Sequence, residues 1–392
     1  MKKSSRFLTV MGGMNALSSI LAIVAGLIAG FIILLISHPA QAGAGFLTIL
    51  TGGFSDRFNF GQVLYYATPI IMTGLSVGFA GKTGLFNIGA SGQFTCGMYA
   101  SILVAIKFSF LPNPLQCICA LLAGVLAGAI WGLIPGVLKA LSNVHEVIAC
   151  IMMNYIGMYL VNYLIKITGI YDQLKNMTMR VPPGANLPSL GLSTLFSTAT
   201  TQGGMRTSSV GSGILIAIVV CVLLYLIIEK TKFGYELKSC GYNREAAHYA
   251  GINENRGIIL SMVIAGALAG MGGALIALAG AGRGVTVVET LSNEGFQGIP
   301  VALLGLYNPI GIMFSGILIA YLTQSGFLLQ RHNFAPEIIE IIVSVIIYFS
   351  ALALLLKGVI QVFFRNRNET SQDPDDTALP DKDKSGGKGG DV

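Results

Sequence analysis

Charge is what this sequence has least of. Asp, Glu, Lys and Arg supply only 11% of its 392 residues, against 53% hydrophobic ones, whereas a soluble domain carries about a quarter charged residues. A water-soluble globule is thereby excluded, and the chain belongs in a membrane. Histidine is scarce as well. Of the four, His38 and His332 fall in segments expected outside, His145 at the start of a span and His248 in a cytoplasmic loop, so no Ser/His/Asp or Cys/His set is recognisable and no catalytic residue is named. The six cysteines (Cys96, Cys117, Cys119, Cys150, Cys221, Cys240) are scattered and lack the spacing of a zinc site or a disulfide framework. They read as small apolar fillers, with no metal site. Gly81-Lys82-Thr83 copies the end of a phosphate-binding loop, but Ser76 stands where that loop needs its first glycine, inside an apolar run. The net charge of +6 is not gathered into a basic patch interleaved with aromatics, so no nucleic-acid partner is expected.

Long apolar runs, by contrast, recur from Leu17 to Leu356. Most approach the roughly 20 residues that cross a bilayer as a helix. The expected spans are 17–36, 62–80, 86–106, 115–138, 146–166, 211–229, 257–280, 296–306, 309–328 and 336–356. The fold class is therefore an all-α polytopic membrane protein of about ten segments, with one membrane domain over 1–364. Fifty glycines suit close helix packing in lipid: Gly124, Gly128, Gly132 and Gly136 form a stripe, and Gly26/Gly30 and Gly266/Gly270 repeat its spacing.

Two of these segments are too polar or too short for lipid. Residues 86–93 hold Asn, Ser, Gln and three glycines, and 296–306 is too short to cross alone. Irregular polar backbone at membrane depth survives only inside protein or beside a water-filled cavity, and transporters place one such broken helix in each half of the chain. Two pseudo-repeated halves are expected on that pattern. The segment 167–210, rich in Thr, Ser, Gly and Pro, reads as an outer segment, and 365–392 as a disordered cytoplasmic tail.

Met1-Lys2-Lys3 and Arg6 before an apolar stretch, with Ala40-Gln41-Ala42 after it, resemble a secretory signal. The stretch is longer than a signal core, so a retained first span is expected. Placing the N-terminus inside puts sixteen of the 24 Lys and Arg residues on the cytoplasmic side, as the positive-inside tendency requires. Both termini are then cytoplasmic, in a bacterial plasma membrane.

The segment 229–252 is polar enough to leave the bilayer. Gly241 punctuates it, Asn243 is a helix N-cap, and Arg244–Ala250 forms a short helix. Its pattern Thr-Lys-x-Gly, then Gly-x-Asn-x-x-Ala-Ala-x-x-x-Gly-Ile, resembles the coupling segment of permeases in the branched-chain amino acid, ribose and nucleoside group of ATP-binding-cassette (ABC) importers. The resemblance implies that 231–252 docks on a cytoplasmic ATPase, through Thr231, Gly234, Gly241, Asn243, Ala246, Ala247, Gly251 and Ile252.

Gly84 to Gln93 resembles the Asn-Ile-Gly-Ala-Glu-Gly-Gln signature of the nucleoside branch, with Ser91 in place of Glu. Gly295 to Gly305 and Asn308-Pro309-Ile310-Gly311 resemble the family's second broken helix, with Gln297 where Asp is common. Glu146-Val147-Ile148 and Met153-Asn154-Tyr155 add to the match, which covers about residues 62–356. Asn87, Ser91, Gln93, Asn154, Phe296 and Gln297 are the candidate pathway residues, supplying neutral donors and acceptors, with Phe86, Phe94 and Tyr155 along an aromatic path. The alternative for each amide is a bond to another helix.

The resemblance implies a permease subunit, not an enzyme, that imports a small polar solute, foremost a nucleoside. It implies no cofactor in this chain, ATP and magnesium on a partner ATPase, a second permease that is identical or homologous, and an extracytoplasmic solute-binding protein or lipoprotein, all within membrane lipid. A simple sugar or branched-chain amino acid is the alternative cargo. An ion-coupled carrier is disfavoured because Glu146, Glu289, Glu294, Glu337 and Glu340 fall near span ends or in outer segments.

Overall fold

A computed structural model describes residues 21, 24–199 and 204–351. The basic start of the chain, part of the first expected span and the tail 365–392 lie outside the described residues. The helices are α1 (Val24–Ser37), α2 (Ala42–Thr51), α3 (Arg57–Lys82), α4 (Ala90–Lys107), α5 (Asn113–Ser142), α6 (Glu146–Ile167), the single turn α7 (Leu192–Leu195), α8 (Gly213–Lys230), α9 (Lys232–Tyr242), α10 (Arg244–Tyr249), α11 (Glu254–Ala277), α12 (Asn293–Leu304), α13 (Pro309–Leu329) and α14 (Pro336–Ala351). Among the described residues, six helices are long and apolar enough to cross a membrane: α3, α5, α6, α8, α11 and α13.

The chain is not purely helical. The segment 167–210 carries two small antiparallel pairs, β1 (Tyr171–Asp172) with β2 (Met177–Thr178) and β3 (Ser197–Ala199) with β4 (Met205–Thr207). Its backbone bonds onto the loop after α11, through Thr178 N–H to Val285 O at 3.0 Å and Leu187 N–H to Leu278 O at 2.8 Å. The segment is thus a cap built onto the bundle end opposite α9 and α10.

The centre of the bundle is made by absent side chains. Gly128 of α5 packs on Gly266 and Gly270 of α11, and a Cβ there would stand 2.7 Å from the Gly270 Cα. Gly132 would meet the Gly266 Cα at 3.0 Å, and Gly136 the Met262 Cβ at 2.9 Å. The glycine stripe expected on α5 is therefore a backbone-to-backbone seam with α11. Dispersion over that contact replaces a hydrophobic drive that lipid does not supply. The opposite face of α5, with Ile118, Leu122, Leu126 and Ile130, is exposed, as a lipid-facing surface must be. α3 is almost wholly enclosed, flanked by α11, α12 and α13.

The two interruptions differ in detail from expectation. α3 ends at Lys82, Gly84 turns the chain at φ +72°, and α4 begins at Ala90. Ser91, Gly92 and Gln93 therefore belong to the first turn of α4, and only Thr83–Gly89 is irregular. The late break begins earlier than 296. α12 holds 12 residues, about 18 Å at 1.5 Å per residue, roughly half the hydrocarbon core. Asn308 starts α13 by accepting from Ile310 N–H at 3.0 Å.

Candidate translocation site and coupling surface

The starts of α4 and α12 meet inside the bundle. Ser91 Oγ donates to Ser292 O at 2.9 Å, and Gly295 packs so closely on Ser91 that a Cβ would sit 2.7 Å from the Ser91 N. Thr73 Oγ1 donates to Glu294 O at 3.0 Å, and Gly298 also lies against Thr73. Thr73 is nine residues from the Lys82 end of α3, about 14 Å along the helix. The junction is therefore near mid-depth.

Four of the six pathway candidates lock this junction. Asn87 donates through Nδ2 to Ser76 Oγ at 3.0 Å and to Gln93 Oε1 at 2.8 Å, and Gln93 Nε2 donates back to Asn87 Oδ1 at 3.2 Å. Asn154 of α6 accepts from Gly92 N–H at 2.8 Å and donates to Ile88 O at 3.0 Å. Asn87, Ser91, Gln93 and Asn154 are all buried, and their partners belong to the chain itself. Phe296 and Gln297 on α12 are half-buried. Of the aromatic residues, Phe94 is buried, Phe86 half-buried and Tyr155 exposed.

A cavity of about 460 Å³ opens beside this junction, toward the capped end. Phe94, Thr95 and Met98 of α4, Met158 and Asn162 of α6, and the 282–294 stretch line it. Its wall carries an ion pair that the sequence reading missed. Arg283 Nη1 bonds Glu294 Oε1 at 2.9 Å, Ser292 Oγ donates to Glu294 Oε2 at 2.9 Å, and the guanidinium lies 5.3 Å from the Tyr66 ring centre. Glu294 was expected near a span end or in an outer segment; it stands in the first turn of α12, and its carbonyl accepts from Thr73 Oγ1 of α3. Its place just ahead of the short apolar run 296–306 was the one available signal, since a charge that leads a half helix points into protein.

At the other end, α8 runs into a helical hairpin. Thr231 Oγ1 accepts from Gly234 N–H at 3.1 Å and caps α9, and Asn243 Oδ1 accepts from Ala246 N–H at 3.1 Å and caps α10. The Asn243 cap is where the sequence put it, but α9 is a full helix where only punctuation was expected. Gly241 lies inside its last turn and presses on Gly84, where a Cβ would stand 3.0 Å from the Gly84 N. Gly234 packs on the end of α8, 2.6 Å from the Ile228 Cα for the same added atom. Gly251 adopts φ +79°, which ends α10 at no steric cost. Ala246 is exposed, Ile252 half-buried, and Ala247 only 3% exposed. Of the two alanines expected to meet a partner, one faces inward. A cleft of about 830 Å³ runs between the end of α8 and the α9–α10 hairpin.

Two helix starts that meet inside a bundle of apolar helices, a cavity beside them and a helical hairpin packed at the other end are the features that a membrane permease would need. Comparison with known proteins gives the family. Residues 59–351 match the family described as branched-chain amino acid transport system / permease component, and the chain belongs to it. It is 34% identical over 346 residues to the guanosine ABC transporter permease protein NupP of Bacillus subtilis, covering 88% of this chain and 95% of that one. It is 33% identical over 347 residues to the nucleoside ABC transporter permease protein NupB of Lactococcus lactis (88% and 92%). It is 31% identical over 342 residues to the glucose ABC transporter permease protein TsgB13 of Haloferax volcanii (84% and 85%). The protein is thus a multi-pass membrane permease of an ABC transport system, a class that works with an ATPase and a solute-binding protein and is not itself an enzyme.

Proposed function

We propose that this chain forms the translocation pathway of an ABC importer for nucleosides. The observation that carries the reading is the identity of 33–34% over most of the chain with permeases named for guanosine and nucleosides. The cavity agrees with it: a donor- and acceptor-bearing wall with no net charge suits a neutral, polar, aromatic cargo.

In this reading the chain crosses the bacterial plasma membrane ten times, α4 and α12 being half helices of two related halves, with both termini in the cytoplasm. The membrane domain extends over 1–364, with 365–392 as a cytoplasmic tail. The hairpin 231–252 docks on the cytoplasmic ATPase, which holds ATP and magnesium; Ala246, Ile252 and the cleft meet the partner, while Thr231, Gly234, Gly241, Asn243, Ala247 and Gly251 shape the hairpin. Because Gly241 rests on Gly84, movement of the hairpin reaches the α3–α4 turn and, through Asn87, Ser91, Gln93 and Asn154, the mid-depth junction. Phe296 and Gln297 border the pathway. Tyr155, Tyr159 and Tyr163 form an exposed stripe on α6; phenols are costly to leave in hydrocarbon, which favours that face for the second permease and the path between them. The segment 167–210 receives the solute-binding protein.

Glucose is the second reading, favoured by the likeness to TsgB13. The test is ATP hydrolysis by the reconstituted complex with its binding protein. Nucleosides are expected to stimulate it, and ribose, glucose and leucine to leave it at the basal rate. Stimulation by a sugar or amino acid and not by nucleosides overturns the proposal.

A further inference from the structure

The Arg283–Glu294 pair stands at the wall of the cavity beside the junction of α4 and α12. A partly buried ion pair costs desolvation to keep, and this one does more than bridge two segments. Glu294 presents two carboxylate oxygens, Oε1 against Arg283 and Oε2 against Ser292. Arg283 presents a planar fork of five N–H groups, held over Tyr66, with Nη1 on the carboxylate. Both residues line the cavity, and each carboxylate oxygen keeps acceptor capacity, and the guanidinium further N–H groups, beyond the bonds they make to each other and to Ser292.

We propose that this pair reads the base of the transported nucleoside and selects guanine. The inference rests on the nucleoside reading above. Guanine is the natural base with two neighbouring donors, N1–H and the 2-amino group, followed around the ring by two acceptors, O6 at the end of that edge and N7 on the next. A carboxylate accepts from the first two and a guanidinium donates to the second two. Around the same atoms adenine alternates acceptor, donor and acceptor (N1, the 6-amino group, N7), a pattern that an uncharged amide matches and a charged pair does not. Asn162 is the amide on this wall, and its Nδ2 is committed to Val288 O at 2.9 Å. Phe94, Met98, Met158 and Met177 supply an apolar, adaptable surface for the faces of the ring. The volume of about 460 Å³ lies within the roughly 300–1,000 Å³ of small-molecule sites.

The experiment is equilibrium binding of radiolabelled guanosine, inosine and adenosine to the assembled permease–ATPase complex in lipid nanodiscs, without a delivering protein. Guanosine is expected to bind roughly tenfold or more tightly than adenosine, with inosine, which lacks the 2-amino group, in between. Glu294→Gln replaces a double acceptor by an amide and is expected to bring the guanosine-to-adenosine ratio down about tenfold by strengthening adenosine as well as weakening guanosine. A structural role alone weakens both nucleosides alike and leaves that ratio where it was. Equal binding of the nucleosides by the unsubstituted complex, or a ratio unmoved in Glu294→Gln, overturns the inference while the nucleoside reading stands. Binding of sugars or amino acids and of no nucleoside overturns that reading itself. Thr290 is exposed at the cavity mouth, so a second measurement avoids the pair. In Thr290→Cys, guanosine is expected to slow alkylation at position 290 at about a tenth of the adenosine concentration. Equal protection by both, or by neither, sinks the proposal independently of how the first variant folds.

Discussion

Gly295, in the first turn of α12, is seated on Ser91, in the first turn of α4, with no room between them for a methyl group. The Ser91 hydroxyl closes the same contact on Ser292 O at 2.9 Å. Two helices about 200 residues apart in the chain are joined there by backbone packing and one hydrogen bond.

Gly295→Ala is expected to destabilise the permease by about 1–3 kcal/mol, the cost of overpacking a tight contact. Thermal melting of the purified protein in lipid nanodiscs checks it. An unchanged melting temperature would mean that the junction yields freely.

The Asn87–Gln93 pair separates a positioning role from a solute-binding one. Asn87→Ala leaves buried Gln93 atoms without partners, at about 1–3 kcal/mol, and unpins Asn87 from Ser76. Stability is expected to fall while the apparent solute affinity of the surviving complex holds. A selective loss of affinity at unchanged stability would assign Asn87 to the cargo instead.

The alanines of α10 are expected to part company. Ala246→Trp places its bulk on an exposed surface, so the chain folds and inserts but no longer co-purifies with its ATPase. Ala247→Trp drives the same bulk into a buried position and lowers the melting temperature of the permease by itself. Normal ATPase association of Ala246→Trp would remove the coupling role from this helix.

Cys240 on α9 supplies a pH test. Burial, then the charge of Glu254, pushes its thiol above the ordinary value of 9.0, Arg244 working against them. The unfolded chain therefore ionises this thiol first, and its contribution to stability falls as pH rises through the ordinary value. Alkylation of Cys240 is expected to be slow at pH 8 and to accelerate only at more alkaline pH than a free thiol requires. Fast labelling at pH 8 in the folded protein would contradict the packing of α9 against the bundle.

Low charge and the recurrence of apolar runs determined by themselves that this is a polytopic membrane protein, because no soluble core tolerates such a composition. The glycine spacing on α5, the short run after 296 and the Asn243 cap were legible for the same reason: each is a local pattern whose cost in lipid or at a helix end has one inexpensive resolution. The tertiary structure alone decided that the amides of Asn87, Gln93 and Asn154 bond one another or nearby backbone, since a polar residue in an apolar run reads the same whether its partner is another helix or a cargo. It also decided that α9 is a helix, that Ala247 turns inward, and that Arg283 and Glu294 pair beside the junction of α4 and α12. Such pairings depend on how separate segments cross in space, and a hydropathy pattern carries no information about crossings.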